Sequence, residues 1–151
     1  MKMSTKGRYG LRAMIDLAAH DDGQPVSLAV IARSEELSER YLEQLMSKLK
    51  KADLVTSSRG SAGGYSLAKD AAQISVGDIL RALEGNLSPV ECSAEAEADC
   101  ANAPACVAKY VWQRVNDSIN EAVDGISLAE LVAKIPEGEQ PSGVARACQQ
   151  S

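Results

Sequence analysis

The sequence predicts a mainly α-helical protein with a small β-wing: a winged helix-turn-helix joined to a long dimerisation helix. Three observations carry that expectation. Two short amphipathic segments, 28–33 and 39–51, each follow a serine suited to capping a helix and are separated by a tight turn. Two β-prone runs then flank the glycine-rich stretch Arg59-Gly60-Ser61-Ala62-Gly63-Gly64. Further on, Val107, Val111, Val115 and Ile119 recur at four-residue steps, which places them on one face of a helix.

The elements follow in order. A first helix is expected from about Thr5 to Ala19, with Tyr9, Met14, Leu17 and Ala18 as its apolar stripe. The run Asp21-Asp22-Gly23-Gln24-Pro25 ends it. Ser27 can cap a short helix over Leu28–Arg33 that turns Leu28, Ile31 and Ala32 inward. After a turn near 35–37, Ser38 can cap Glu39–Lys51, whose Leu42, Leu45, Met46 and Leu49 keep the i, i+3, i+4, i+7 spacing of a buried face. Arg40, Gln44, Lys48 and Lys51 then point outward, as a recognition helix requires. Residues 54–58 and 65–68 read as the two strands of a hairpin. Ser75-Val76-Gly77-Asp78 reads as a capping box opening a helix over Val76–Leu83, stopped by Gly85-Asn86. The long helix is expected from Pro104 or Ala105 to Val123, with Trp112 and Val123 beside the valine stripe. Ser127-Leu128-Ala129-Glu130 reads as a second capping box, starting a short helix to Lys134. The tail from Pro136 is polar and expected to be disordered.

Composition bounds the function. The chain has 151 residues, 45% of them hydrophobic, with no Phe, so a core must be built from aliphatic side chains and Met. No segment reads as a signal peptide or membrane span, and a cytoplasmic protein without membrane contact is the expectation. The net charge of −5 is divided unevenly. Residues 1–69 carry 11 Lys and Arg against 8 Asp and Glu, and residues 70–151 carry 5 against 13. A basic half facing DNA and an acidic half held away from phosphate fit that split.

Candidate DNA-contacting residues follow from the helix-turn-helix. Ser38, Arg40, Tyr41 and Gln44 lie at or near the start of the recognition helix, where base edges are met, and Lys48 further along suits a phosphate. Arg59 and Gly60 sit at the wing tip, where a guanidinium suits the minor groove and a glycine lets the backbone come close. Cys92, Cys100 and Cys106 form a C-x7-C-x5-C set in a polar segment directly after this domain. Thiolates suit iron–sulfur clusters, zinc or copper(I). The close cysteine pairs of structural zinc sites are absent, and buried-hydrophobe roles do not explain thiols in a polar stretch. Cys148, in the tail, reads as incidental, and His20, the sole histidine, as a helix-end residue. No nucleophile elbow or phosphate loop is present, so an enzyme is not expected.

Residues 1–10, Tyr41-Leu42-Glu43-Gln44-Leu45, the 59–65 turn and the three cysteines together resemble the Rrf-type family of winged-helix regulators, most of all its iron–sulfur cluster regulators. The resemblance runs from residue 1 to about residue 134. It implies a homodimer with crossed long helices, a double-stranded DNA operator met by Tyr41, Glu43 and Gln44, and an iron–sulfur cluster, 2Fe–2S in type, on Cys92, Cys100 and Cys106. The cluster would control operator binding. Such regulators often carry a histidine ligand three residues after the last cysteine, where this chain has Lys109. Glu91, Asp99, Asn102, a partner-subunit residue or an exogenous thiol could then complete the set. A nitric-oxide- or iron-sensing relative, or a cluster-free regulator sensing thiol oxidation or a partner protein, are the alternatives. The implied organisation is a DNA-binding domain over 1–84, a cysteine segment over 85–105, the dimerisation and final helices over 106–134, and a tail over 135–151.

Overall fold

The computed structural model describes residues 3–90 and 106–138. Helices α1 (Thr5–Ala19), α2 (Leu28–Glu35) and α3 (Glu39–Lys51) are followed by strands β1 (Val55–Ser58) and β2 (Gly64–Leu67). A short 3-10 turn at Ala71–Gln73 leads into α4 (Val76–Glu84), and α5 (Ala108–Asp124) and α6 (Leu128–Ala133) complete the described chain. Among the described residues no helix is long and apolar enough to cross a membrane.

The caps explain the helix starts. Ser27 Oγ accepts from the Val30 amide, and Ser38 Oγ from the Tyr41 amide, at 3.3 and 3.2 Å. Ser75 and Asp78 form the full reciprocal box predicted for α4. At α6 the prediction is corrected. Ser127 Oγ accepts from the Glu130 amide, but the return bond from Glu130 is not among those that cap the helix, which leaves a single-sided cap. The start of α5 is also later than expected. Cys106 and Val107 precede the helix, which begins at Ala108, while Pro104 and Ala105 lie outside the described residues. Glu36 ends α2 in the left-handed region, φ 56° and ψ 40°, and makes the tight turn between the two short helices.

One aliphatic core holds the winged domain together. Met14 and Leu17 of α1, Ile31 of α2, Leu42, Leu45, Met46 and Leu49 of α3, and Ile79 of α4 are all fully or almost fully buried. The helices approach closely because the α1 residue facing Leu83 is Gly10: a Cβ there would run into the Leu83 side chain. Leu128 of α6 is also in this core. The sequence reading grouped α6 with the long helix, whereas the fold packs it on α1 and on the turn before α4. The backbone stitches it there, with Val76 N–H donating to Ile126 O and Leu128 N–H to Ile74 O.

The wing is antiparallel, with Val55 opposite Leu67 and Ser58 opposite Gly64. Val26, before α2, pairs with Tyr65 through two backbone bonds of 2.8 Å and ties the wing to the helix-turn-helix. Gly64 permits this approach, since a Cβ at that position would collide with the Val26 carbonyl.

Candidate nucleic-acid interface and sensor segment

The first turns of α3 carry most of the predicted DNA-contacting residues. Ser38, Arg40, Glu43, Gln44 and Lys48 are exposed, as are Arg59 and Gly60 at the wing tip. Glu43 lies on the side of α3 that looks toward the wing: its carboxylate, after burial, pushes the Tyr65 phenol upward from its ordinary pKa. Glu43 and Glu39 thus place negative charge near the start of a helix whose last turn carries Lys48, Lys50 and Lys51. Tyr41 differs from its neighbours. It is half-buried, its hydroxyl donates to Thr5 Oγ1 at 3.3 Å, and its ring meets Tyr9 edge-on, with centroids 6.3 Å apart.

Behind Tyr41 runs a line of side chains that the sequence reading missed. The Arg12 guanidinium lies 5.1 Å from the centroid of the Tyr9 ring. Its Nε–H donates to Glu35 Oε2 at 3.0 Å, and the two side chains are only 11% and 2% exposed. Glu35 closes α2, so Glu35, Arg12, Tyr9 and Tyr41 connect the end of α2, the middle of α1 and the start of α3. Burial pushes the Glu35 carboxyl up, and the Arg12 charge pulls it back down. Asp16, one turn further along α1, is fully buried. His20 Nδ1 lies 3.2 Å from Asp16 Oδ1 and 2.8 Å from the Asp16 carbonyl oxygen. Burial raises the Asp16 carboxyl above its ordinary range, with His20 and the Ser34 hydroxyl opposing the rise. No motif marks these residues. Their only sequence trace is an acid at an otherwise inward position of each helix.

Of the predicted ligands, Cys92 and Cys100 lie outside the described residues, as does Cys148. Cys106 is a free, half-buried thiol at the foot of α5. Among the described residues no group of three or more His, Cys, Asp or Glu could hold a metal. His20, at the end of α1, is engaged by Asp16. The donor set that remains for a cluster is the sulfur trio, whose chemistry fits iron and sulfide.

Helix α5 lies along α4. Arg81 clamps it, donating to both carboxylate oxygens of Asp124 at 2.7 and 2.9 Å and to Asn120 Oδ1 at 2.6 Å. Ile119 and Val123 pack on Val76 and Leu80. The outer half of α5 has no such partner among the described residues: Tyr110, Val111, Trp112 and Val115 are exposed.

Comparison with known proteins agrees with this arrangement. Residues 3–134 match the Rrf2 family, described as iron-dependent transcriptional regulators. The chain is 46% identical over 140 residues to the HTH-type transcriptional regulator CymR of Bacillus subtilis, covering 93% of this chain and 95% of that one. It is 39% identical over 133 residues to the regulator IscR of Vibrio vulnificus, covering 88% and 78% respectively. The structure of CymR, the global cysteine regulator of B. subtilis, aligns with a TM-score of 0.74 over 90% of this chain and 99% of that one, at 43% identity. That of T. potens IscR aligns with a TM-score of 0.71 over 91% and 94%, at 45% identity. A wing, a capped helix-turn-helix and a long outer helix are thus shared with regulators rather than enzymes, and the chain belongs to the Rrf2 family of DNA-binding transcription regulators.

Proposed function

We propose that this regulator binds its operator as a homodimer and that an iron–sulfur cluster on Cys92, Cys100 and Cys106 sets its affinity. The observation that carries the reading is the C-x7-C-x5-C set placed between the winged domain and α5, with Cys106 free at the foot of that helix. Ser38, Arg40, Glu43 and Gln44 would meet base edges in the major groove, and Arg59 the minor groove. Tyr41 would hold the start of α3 through Thr5 and Tyr9 while lending its ring edge to the interface. Glu43 accepts from cytosine amino groups and repels phosphate, which suits it to discriminate between operators. The exposed face of α5 would pair with its copy in the second subunit and set the spacing of the two recognition helices.

A bound cluster supplies charge and covalent cross-linking of its ligands. The protein's part is to transmit that constraint from Cys106 into α5, and through the Arg81–Asp124 clamp into α4. Affinity then changes only as far as the two states differ in their fit to DNA.

An anaerobic absorption spectrum with iron and sulfide assays on the same sample tests this. Charge-transfer bands with about equal iron and sulfide, lost in Cys92→Ala, are the expected result. A colourless protein that resists reconstitution sinks it. The second reading is control through cysteine or thiol chemistry without a cluster, and the extent of the match to the B. subtilis cysteine regulator favours it.

A further inference from the structure

The buried ion pair behind Tyr41 is poorly explained by stability alone. Arg12 and Glu35 meet at 3.0 Å with side chains 11% and 2% exposed. Apolar residues of similar volume in place of such a pair are often neutral or stabilising. The pair is also incompletely satisfied, because Arg12 Nη2 is buried without a hydrogen-bond partner.

Its place in the fold is more informative. Glu35 is the last residue of α2, directly before Glu36, whose left-handed backbone makes the turn into α3. Arg12 grips that carboxylate from α1 through a single directional bond. The same guanidinium lies 5.1 Å from the centroid of the Tyr9 ring, and Tyr9 meets Tyr41 edge-on. Tyr41 stands in the first turn of α3, where its amide also completes the Ser38 cap. One side chain on α1 thus braces residues 35 and 41, on either side of the turn that aims α3. A planar guanidinium can lie against a ring while donating in its own plane, which an ammonium or a thioether cannot do.

We propose that Arg12 and Glu35 are positioning residues for operator recognition. They touch no DNA. They fix the angle at which the first turn of α3 is presented, and Tyr9 passes the constraint to Tyr41. Hydrogen bonds to base edges weaken steeply when distance and angle are lost, whereas the sequence-independent attraction to phosphate is electrostatic and tolerates a small tilt. Loss of the pair therefore lowers discrimination between sequences more than it lowers attraction to DNA. This role presupposes α3 as the base-contacting helix, and it holds with or without a cluster.

The test uses the full chain with Arg12→Met and Glu35→Met introduced together, so that neither charge is left buried alone. Affinity is measured for a duplex that the parent selects from a random pool, and for a scrambled duplex of the same length. With the thermal midpoint preserved, affinity for the selected duplex should fall about tenfold, the scale of one misread base pair. The scrambled duplex should be bound as by the parent. Tyr9→Leu, alone and added to the pair, completes a double-mutant cycle, and the losses should be less than additive because both changes break one line. If the methionine variant does not fold, Arg12→Lys decides: it keeps a charge beside Glu35, gives up the planar contact with Tyr9, and should lose discrimination in the same sense. Gln44→Ala reports on base reading by itself. No loss there is a failure of α3 as the reading helix, while a loss there with none in the folded pair variant overturns the positioning role. An equal loss on both duplexes overturns it too, since the pair would then support the fold as a whole, and fully additive losses overturn the route through Tyr9.

Discussion

Leu42, Leu45, Met46 and Leu49 on α3 are at most 1% exposed, whereas Tyr110, Val111, Trp112 and Val115 on α5 are between 37% and 66% exposed. Both sets keep the spacing of a helix face seeking a partner. On α3 the partner is the chain itself, in α1, α2 and α4. On the outer half of α5 the chain offers none among the described residues. Periodicity therefore reports that a face is to be covered and is silent on which molecule covers it. The inner half of α5 makes the same point, because Ile119 and Val123 continue the stripe and are packed on α4. One helix passes from intramolecular to outward-facing packing within a few turns.

That contrast can be broken from the core side. Leu45→Ala empties a fully enclosed site and should cost about 2–5 kcal/mol in urea unfolding. Ser38→Ala removes the α3 cap and should cost about 1 kcal/mol, with operator affinity falling further than stability because the same turn carries the reading residues. Val111→Asp with Val115→Asp alters only the exposed face, so the unfolding free energy measured per chain at low concentration should move by no more than about 0.5 kcal/mol. The mass in analytical ultracentrifugation should nonetheless fall from dimer to monomer. If the double variant keeps its dimer, α5 is not the interface.

The smallest effect changes sign. Asp16 has a carboxyl raised by burial. The folded state therefore holds its proton more tightly than the unfolded chain does, and Asp16 lowers stability as pH climbs from the ordinary carboxylate value, about 4, through the raised one. Asp16→Asn should be more stable than the parent at neutral pH. The advantage should shrink as pH falls toward the ordinary value, where the parent's carboxyl is protonated too. Thermal melts across that range check both the sign and the window.

The elements were legible because their signals are local. Ser27, Ser38 and Ser75 each bond an amide three residues on, within reach of pattern reading. What escaped depends on distant pairs: Arg12 with Glu35, Tyr41 with Thr5, Ser4 with Glu84, and Leu128 in the core. Nothing in the neighbourhood of Arg12 distinguishes a solvated arginine from one seated over Tyr9. Arg40, Gln44 and Arg59 point outward, as the helical spacing and the hairpin tip predict. The half-buried setting of Tyr41 was not legible, because its partners Thr5 and Tyr9 lie on another helix.

The stitch that joins residues 126–128 to residues 74–76 has a bearing on how such a chain can vary. Everything between Gly85 and Ile126 leaves from one end of α4 and returns at the other, and α4 is nine residues long, so the two ends are only about 13 Å apart. Gly85 and Ile126 are therefore neighbouring anchor points for the chain between them, and the winged domain is completed by α6, which follows the second anchor. A change between residues 85 and 126 that spares α5 leaves both anchor points and the contacts of α6 in place. A chain built this way can vary between those two points while the domain on either side of them stays whole.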